Sequence, residues 1–214
     1  MPGRDDGDMS ANWPDRPNPL TLDAYLALAE EVRREIEVVD GNVVPREERG
    51  RPHQKTAFRL ASAFEADVRK YRAGHSGGAP PCYEVNTEVS VLLWEVPLTV
   101  RKPDVVVHHC RDQFEMLDAG DVVIAVEVMS RWSESRDRIH KMGEYAKARI
   151  PHYLIVQFDE VGATIVEHYA LLDADLAYSK IGVSHRDRDL WALHMTVPFQ
   201  IQVGWQDLEV GPPV

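Results

Sequence analysis

Apolar positions along the chain change their period several times, and each change marks an element. Thr21 precedes LDAYLALAEEV, in which Leu22, Tyr25, Leu26 and Ala29 recur at helical spacing, so this stretch reads as one N-capped amphipathic helix. EIEVVDGNVV follows as two short extended runs about Asp40-Gly41, and Asp-Gly between apolar runs signals a two-residue hairpin. After the charged loop PREERGRP, a single stripe of Ala57, Leu60, Ala61, Phe64, Val68 and Tyr71 predicts an amphipathic helix, with His53 at or just before its start. GHSGGAPP then breaks the chain.

From that break to about residue 129 the pattern is that of β structure. EVSVLLW and PDVVVHH are the first expected strands, and VVIAVEVM is a later one, apolar throughout except for a single acid. Residues 133–148, SESRDRIHKMGEYAKA, return to helical spacing, Pro151 closes that unit, and HYLIVQF reads as a buried strand. TIVEHYAL, LAYSKIGV and the stretch through VPFQIQV resemble antiparallel edge strands. Residues 1–19 are polar, carry four prolines and show no periodicity, the composition of a flexible tail. No internal repeat or second boundary interrupts residues 20–214, so a single α/β (α+β) domain is expected, with a mixed β-sheet flanked by helices.

Composition narrows the classes. No run approaches the roughly 20 apolar residues that span a bilayer, and the N-terminus lacks the charged-then-apolar pattern of a secretion signal, so no membrane contact and a cytoplasmic location are expected. Cys82 and Cys110 are the only cysteines; two so widely spaced make neither a zinc cluster nor a disulfide framework, and buried free thiols are expected. The 24 basic against 35 acidic residues, a net charge of −11, argue against indiscriminate nucleic-acid binding while leaving room for a local basic groove.

Within VVIAVEVM, Glu127 is the most informative residue. A carboxylate among valines costs several kcal/mol unless it is paired, protonated or bound to a cation. Asp104 is the natural companion, at the head of a strand where Pro103 is tolerated because pairing has yet to begin. Two close carboxylates repel, a divalent cation reverses that repulsion, and an oxygen-rich site suits magnesium or manganese. Asp137, Lys141 and Tyr145 share one face of the following helix. A lysine there could orient an attacking water or stabilise charge on a phosphate.

Less specific readings stand beside these. Asp137 and Lys141 also fit a solvent-exposed helix pair, Asp104 a turn acid, Glu127 a buried salt bridge to an arginine such as Arg101, and Glu37 and His53 ordinary structural positions. His108 and His109, as neighbours on a strand, point to opposite faces, so at most one of them could reach a common site. Tyr145 reads as a packing residue.

In combination the motifs are specific. P-D, 22 intervening residues, E-V-M-S, then D-x-x-x-K-x-x-x-Y and I-P-H-Y-L, with E-V-V-D-G at Glu37–Gly41 and the helix-opening His53 upstream, resemble the bacterial putative restriction endonuclease family of the PD-(D/E)XK nuclease superfamily, over residues 20–170. The resemblance implies a restriction-endonuclease-like fold and a metal-dependent endonuclease hydrolysing DNA. It assigns Asp104, Glu127 and the carbonyl of Val128 to the metal, Lys141 to catalysis together with the two acids, and Glu37, His53 and Asp137 to the rim. Met129 stands where the superfamily lysine is expected, two residues after Glu127, and Lys141 is its implied substitute. Arg49, Arg51, Lys55, Arg101, Lys102, Arg131, Arg136 and Arg138 are candidate phosphate contacts, and a homodimer would suit cleavage of both strands. The alternative is a nuclease-like fold kept as a non-catalytic interaction or assembly module, which the acidic balance and Met129 favour; a small phosphorylated substrate is a third reading.

Overall fold

The computed structural model describes residues 19–74, 80–112, 115–130, 135–172 and 177–211, with the side chains of 130 and 135–138 outside that description. The segment read as a tail, and Arg131, lie almost wholly outside it; the side chains of Asp137, Arg136 and Arg138 lie outside it as well. Among the described residues no helix is long and apolar enough to cross a membrane.

The N-terminal pattern gives two helical turns rather than the single helix expected. Helices α1 (Leu22–Leu26) and α2 (Glu30–Arg34) are separated at Ala27–Ala29. Thr21 caps α1, its hydroxyl accepting the Ala24 N–H at 3.3 Å. The bend brings Leu22, Tyr25, Leu28 and Val32 onto one small core that also holds Ile36, Val38, Leu98 and Val100. Strands β1 (Ile36–Val39) and β2 (Asn42–Pro45) form the expected hairpin. Asp40 and Gly41 both have positive φ, 49° and 76°, the conformation that a two-residue primed turn requires. A Cβ on Gly41 would also meet that of Pro19 at 2.4 Å.

The long helix α3 (Arg51–Gly74) presents His53, Thr56, Ala57, Leu60, Phe64 and Val68 inward, as the stripe predicts. Strands β3 (Tyr83–Thr87), β4 (Val91–Trp94), β5 (Thr99–Arg101), β6 (Val105–His109), β7 (Leu117–Asp118) and β8 (Val122–Ser130) follow. Helix α4 (Ser135–Lys147), β9 (His152–Phe158), β10 (Ala163–Leu171), β11 (Tyr178–His185), β12 (Trp191–Met195), β13 (Ile201–Gly204) and a 3-10 turn at Trp205–Leu208 complete the described chain.

These strands form three sheets. The largest has the order β11-β10-β9-β8-β6-β3, antiparallel except for the central parallel pair β8–β9. The α4 crossover requires that one parallel step, and both strands flanking it are buried and apolar. A second sheet, β2-β1-β5-β4-β7, and the hairpin β12–β13 complete the set. Helix α3 with β12 and β13 covers one face of the large sheet; α4 and β4 cover the other.

A second expectation fails. Cys82 and Cys110 are joined by a disulfide rather than being free thiols. The antiparallel register pairs Tyr83 with His109, which makes Cys82 and Cys110 the next pair outward, with Cα atoms 5.3 Å apart, within the span a disulfide bridges. Twenty-eight residues of sequence separation conceal a proximity that strand pairing creates.

Candidate functional site

The ladder between β6 and β8 ends at Val105 opposite Val126. Asp104 lies one residue before that pair and Glu127 one residue after it, so the two acids meet where the ladder stops. Pro103 brings no N–H to extend the pairing, and the Asp104 carboxylate takes the place of a strand carbonyl: Oδ2 accepts the Val128 N–H at 2.7 Å. In an extended strand the N–H and C=O of one residue point to the same side, so the Val128 carbonyl faces the Asp104 side as well.

Helix α3 reaches this point through its first turn. His53 Nε2 lies 3.1 Å from Asp104 Oδ2, held there by the buried stripe that continues through Thr56, Ala57 and Leu60. Asp104 Oδ1 is buried without a hydrogen-bond partner; Arg49, from the loop before α3, places Nη2 3.6 Å away. Burial pushes the Asp104 carboxyl up, but the His53 contact, the Arg49 charge and the Val128 N–H outweigh it and hold the acid below its ordinary range.

Alternation along β8 turns Val126 and Val128 toward α3 and Glu127 toward α4. There the Lys141 ammonium lies 3.1 Å from both Glu127 oxygens, and the Tyr145 hydroxyl donates to Oε1 at 2.8 Å. Lys141 Nζ is also 3.5 Å from Glu37 Oε1. Glu37 accepts from Arg101 Nη1 at 2.8 Å and from the Lys102 N–H at 3.0 Å. Arg101 in turn grips Glu144 with two hydrogen bonds, at 2.6 and 3.0 Å, the fork geometry that suits guanidinium and carboxylate. The result is one continuous chain of charge, buried from Glu127 through Lys141 and Glu37 to Arg101 and ending at the half-buried Glu144.

The acids in this chain are not equivalent. Glu127 is pushed up to about 7, first by burial and then by the charges of Asp104 and Glu37, with Lys141 and the Tyr145 hydrogen bond pulling against the shift. Burial also raises Glu37, yet the Lys141 and Arg101 charges and the Lys102 N–H bring it below its ordinary range. Two nearby carboxyls whose environments drive them apart are the common signature of a reactive site.

Asp104 and His53 converge on the α3 side and Glu127, Lys141 and Glu37 on the α4 side, with the Asp104 charge felt at Glu127, while Asp137 falls outside the described side chains. Arg101 pairs with Glu37 and Glu144 rather than with Glu127. Tyr145 is fully buried, as its packing role implies, but it also bonds Glu127. Glu144 is a member that pattern reading missed; its position three residues after Lys141 on the same helical face was the available signal. His108 is occupied elsewhere, with Asn86 at 2.8 Å and the His109 carbonyl at 2.7 Å.

Among the described residues no group of three or more His, Cys, Asp and Glu side chains is arranged to hold a metal. The donors at the ladder's end are two carboxylates and a peptide carbonyl, with one carboxylate oxygen buried and accepting no hydrogen bond. Hard oxygen donors of this number fit a magnesium-sized cation, which keeps several waters and takes one or two protein carboxylates.

Known proteins can be set beside this geometry. The chain superposes with a TM-score of 0.62 on the crystal structure of a putative nuclease belonging to DUF820 from Anabaena variabilis, at 16% sequence identity, covering 88% of this chain and 97% of that one. The likeness is one of fold, a mixed α+β arrangement of sheets and helices. No curated protein matches the sequence. The profile of the Uma2 family, described as putative restriction endonuclease, matches residues 22–208, spanning both large sheets and every converging residue above, and the chain belongs to that family.

Proposed function

We propose that this protein is a magnesium- or manganese-dependent endonuclease that hydrolyses phosphodiester bonds in DNA. The observation that carries the reading is the Lys141 ammonium on Glu127, beside an Asp104 with one buried oxygen that accepts no hydrogen bond and faces only the Arg49 guanidinium at 3.6 Å. Asp104, Glu127 and the Val128 carbonyl would hold the cation, which when bound supplies Lewis-acid polarisation of the phosphate and neutralises the facing acids. His53 and the Val128 N–H engage Oδ2 of Asp104 and so leave Oδ1 presented. Tyr145 fixes the orientation of Glu127. Lys141 orients the attacking water and steadies the charge that develops on phosphorus oxygens. Glu37 shares the Lys141 ammonium and keeps it near the acids, and Arg49 is positioned to meet a phosphate at the mouth. Asp137, on the turn of α4 before Lys141, is an accessory acid. Two chains would be needed for each to cut one strand, so a homodimer acting on cytoplasmic DNA suits the activity.

Nicking of supercoiled plasmid in Mg²⁺ or Mn²⁺ tests the proposal. Asp104→Ala, Glu127→Ala and Lys141→Ala should each lower the rate about a hundredfold or more, and chelation should abolish it. The net charge of −11 favours a second reading, a nuclease fold serving as a non-catalytic interaction module. That reading prevails if the wild-type chain cleaves no nucleic acid and calorimetry detects no metal binding; turnover of small phosphoesters alone would point to a third substrate class.

A further inference from the structure

Away from the acidic pair, two metal-ligating side chains meet at one point. His168 Nε2 lies 3.2 Å from His152 Nδ1, with the ring centroids 5.2 Å apart and the planes inclined by 51°. Register accounts for the meeting. Ala170 stands opposite His152 and Leu154 opposite His168, so the histidines are diagonal neighbours across β9 and β10, a spacing that long side chains bridge. Strand alternation puts both on the face of Leu154, Val156 and Val166, the α3 side of the large sheet. Glu127 points to the other face and stands opposite Ile155, three residues along β9 from His152. The pair is therefore separate from the candidate site.

Among the described residues neither ring has another hydrogen-bond partner. Burial lowers both imidazoles, His168 to about 4 with its neighbour adding to the shift, so both are neutral at pH 7 and each offers a lone pair. Both rings are half-buried rather than sealed. Gly182 stands opposite His168 on β11, and a Cβ placed there would meet only the His168 Cβ, at 3.7 Å. No side chain at that position crowds the ring, which leaves room for water.

A hydrogen bond between the rings uses one facing nitrogen as donor and the other as acceptor. Two neighbouring imidazole ligands of a zinc-sized ion, each about 2.1 Å from it, stand about 2.9–3.4 Å apart, a range that includes the separation seen here. Moving the shared proton to the outer nitrogen of its own ring frees both facing lone pairs, and the pair loses no proton. Imidazole nitrogen suits zinc, nickel and copper, whereas magnesium takes oxygen.

We propose that His152 and His168 form a two-ligand site for a divalent cation of the zinc, nickel and copper class, with water completing the coordination. The ion would clamp β9 to β10 on the sheet face opposite Glu127. The site does not rest on the nuclease reading, because neither histidine touches the acidic pair.

Calorimetric titration of the untagged full chain with Ni²⁺ and with Zn²⁺, in excess Mg²⁺ to occupy oxygen-donor sites, tests the proposal. His152→Gln and His168→Gln should each weaken binding about tenfold or more, and the metal-induced rise in melting temperature seen for the wild type should be absent in both. Circular dichroism of the variants checks that they fold. A measurement on the wild type alone guards against misfolding: bound Cu²⁺ should show electron-paramagnetic-resonance splitting from two imidazole nitrogens. Absence of binding, binding that both variants retain, or dependence on only one histidine overturns the site and leaves the pair a hydrogen bond. Failure to nick plasmid leaves it standing.

Discussion

The Lys141 ammonium lies 3.1 Å from each oxygen of the Glu127 carboxylate, although the two residues belong to different elements and Met129 occupies the position next to Glu127 on its own strand face. Strand alternation would bring a lysine at 129 to the same acid. Instead Met129 packs against the apolar cluster on that face, and α4 delivers the cation from above. The positive charge arrives by a tertiary route rather than from the strand itself.

Removing that cation should cost most where Glu127 is ionised. Lys141→Met leaves a buried acid without its main partner, and breaking such a pair typically costs about 3–5 kcal/mol. Urea unfolding at pH 8 should show a loss of that order. At pH 5, where Glu127 is already protonated, the loss should be smaller. Equal losses at both pH values would show that Lys141 matters for packing alone.

The pH dependence of stability has a definite sign. Glu127 is raised to about 7 in the folded chain from an ordinary value of 4.5, so its contribution is fully present below about 4.5 and is lost as pH rises through 7. Linkage puts the change at about 3 kcal/mol. Glu37 and Asp104 are shifted downward, so their contributions are present above their ordinary values and are lost as the medium turns acid. Stability of the wild type should therefore decline between pH 4.5 and 7.5, and Glu127→Gln should flatten that decline. Metal affinity should run the other way, rising through pH 7 as Glu127 gives up its proton, as manganese titration by calorimetry would reveal.

Arg101 joins Glu37 to Glu144 and is 4% exposed. Arg101→Met would leave the buried Glu37, beside Lys141, and the half-buried Glu144 without their shared guanidinium. A destabilisation of about 3–5 kcal/mol is expected in urea unfolding at neutral pH. The double variant Arg101→Met with Glu144→Gln should recover part of it, and additive losses would deny the coupling.

The Cys82–Cys110 bridge closes a loop of 28 residues between β3 and β6. In the chain-entropy account a loop of that size contributes about 3.6 kcal/mol. The Cys82→Ser, Cys110→Ser chain should melt several degrees lower than the oxidised wild type, and reductant should lower the wild type to match it. Thiol titration of the native protein should find no free cysteine.

Local pattern was enough for much of the architecture. The stripe from Ala57 to Tyr71 specifies α3, Asp40-Gly41 specifies the hairpin, and HYLIVQF specifies a buried strand, because period and turn chemistry act over a few residues. The sequence also singled out Asp104, Glu127 and Lys141: an acid in an apolar strand demands compensation wherever the chain goes, and the spacing of the family's motif named its partners. Tertiary structure decided what pattern cannot encode. Strand register fixed Cys82 against Cys110 and ended the β6–β8 ladder beside Asp104, and the packing of α4 turned Tyr145 and Glu144 toward the acids. Electrostatic partnership depends on distances of a few ångströms, and only the folded chain sets those between residues dozens of positions apart.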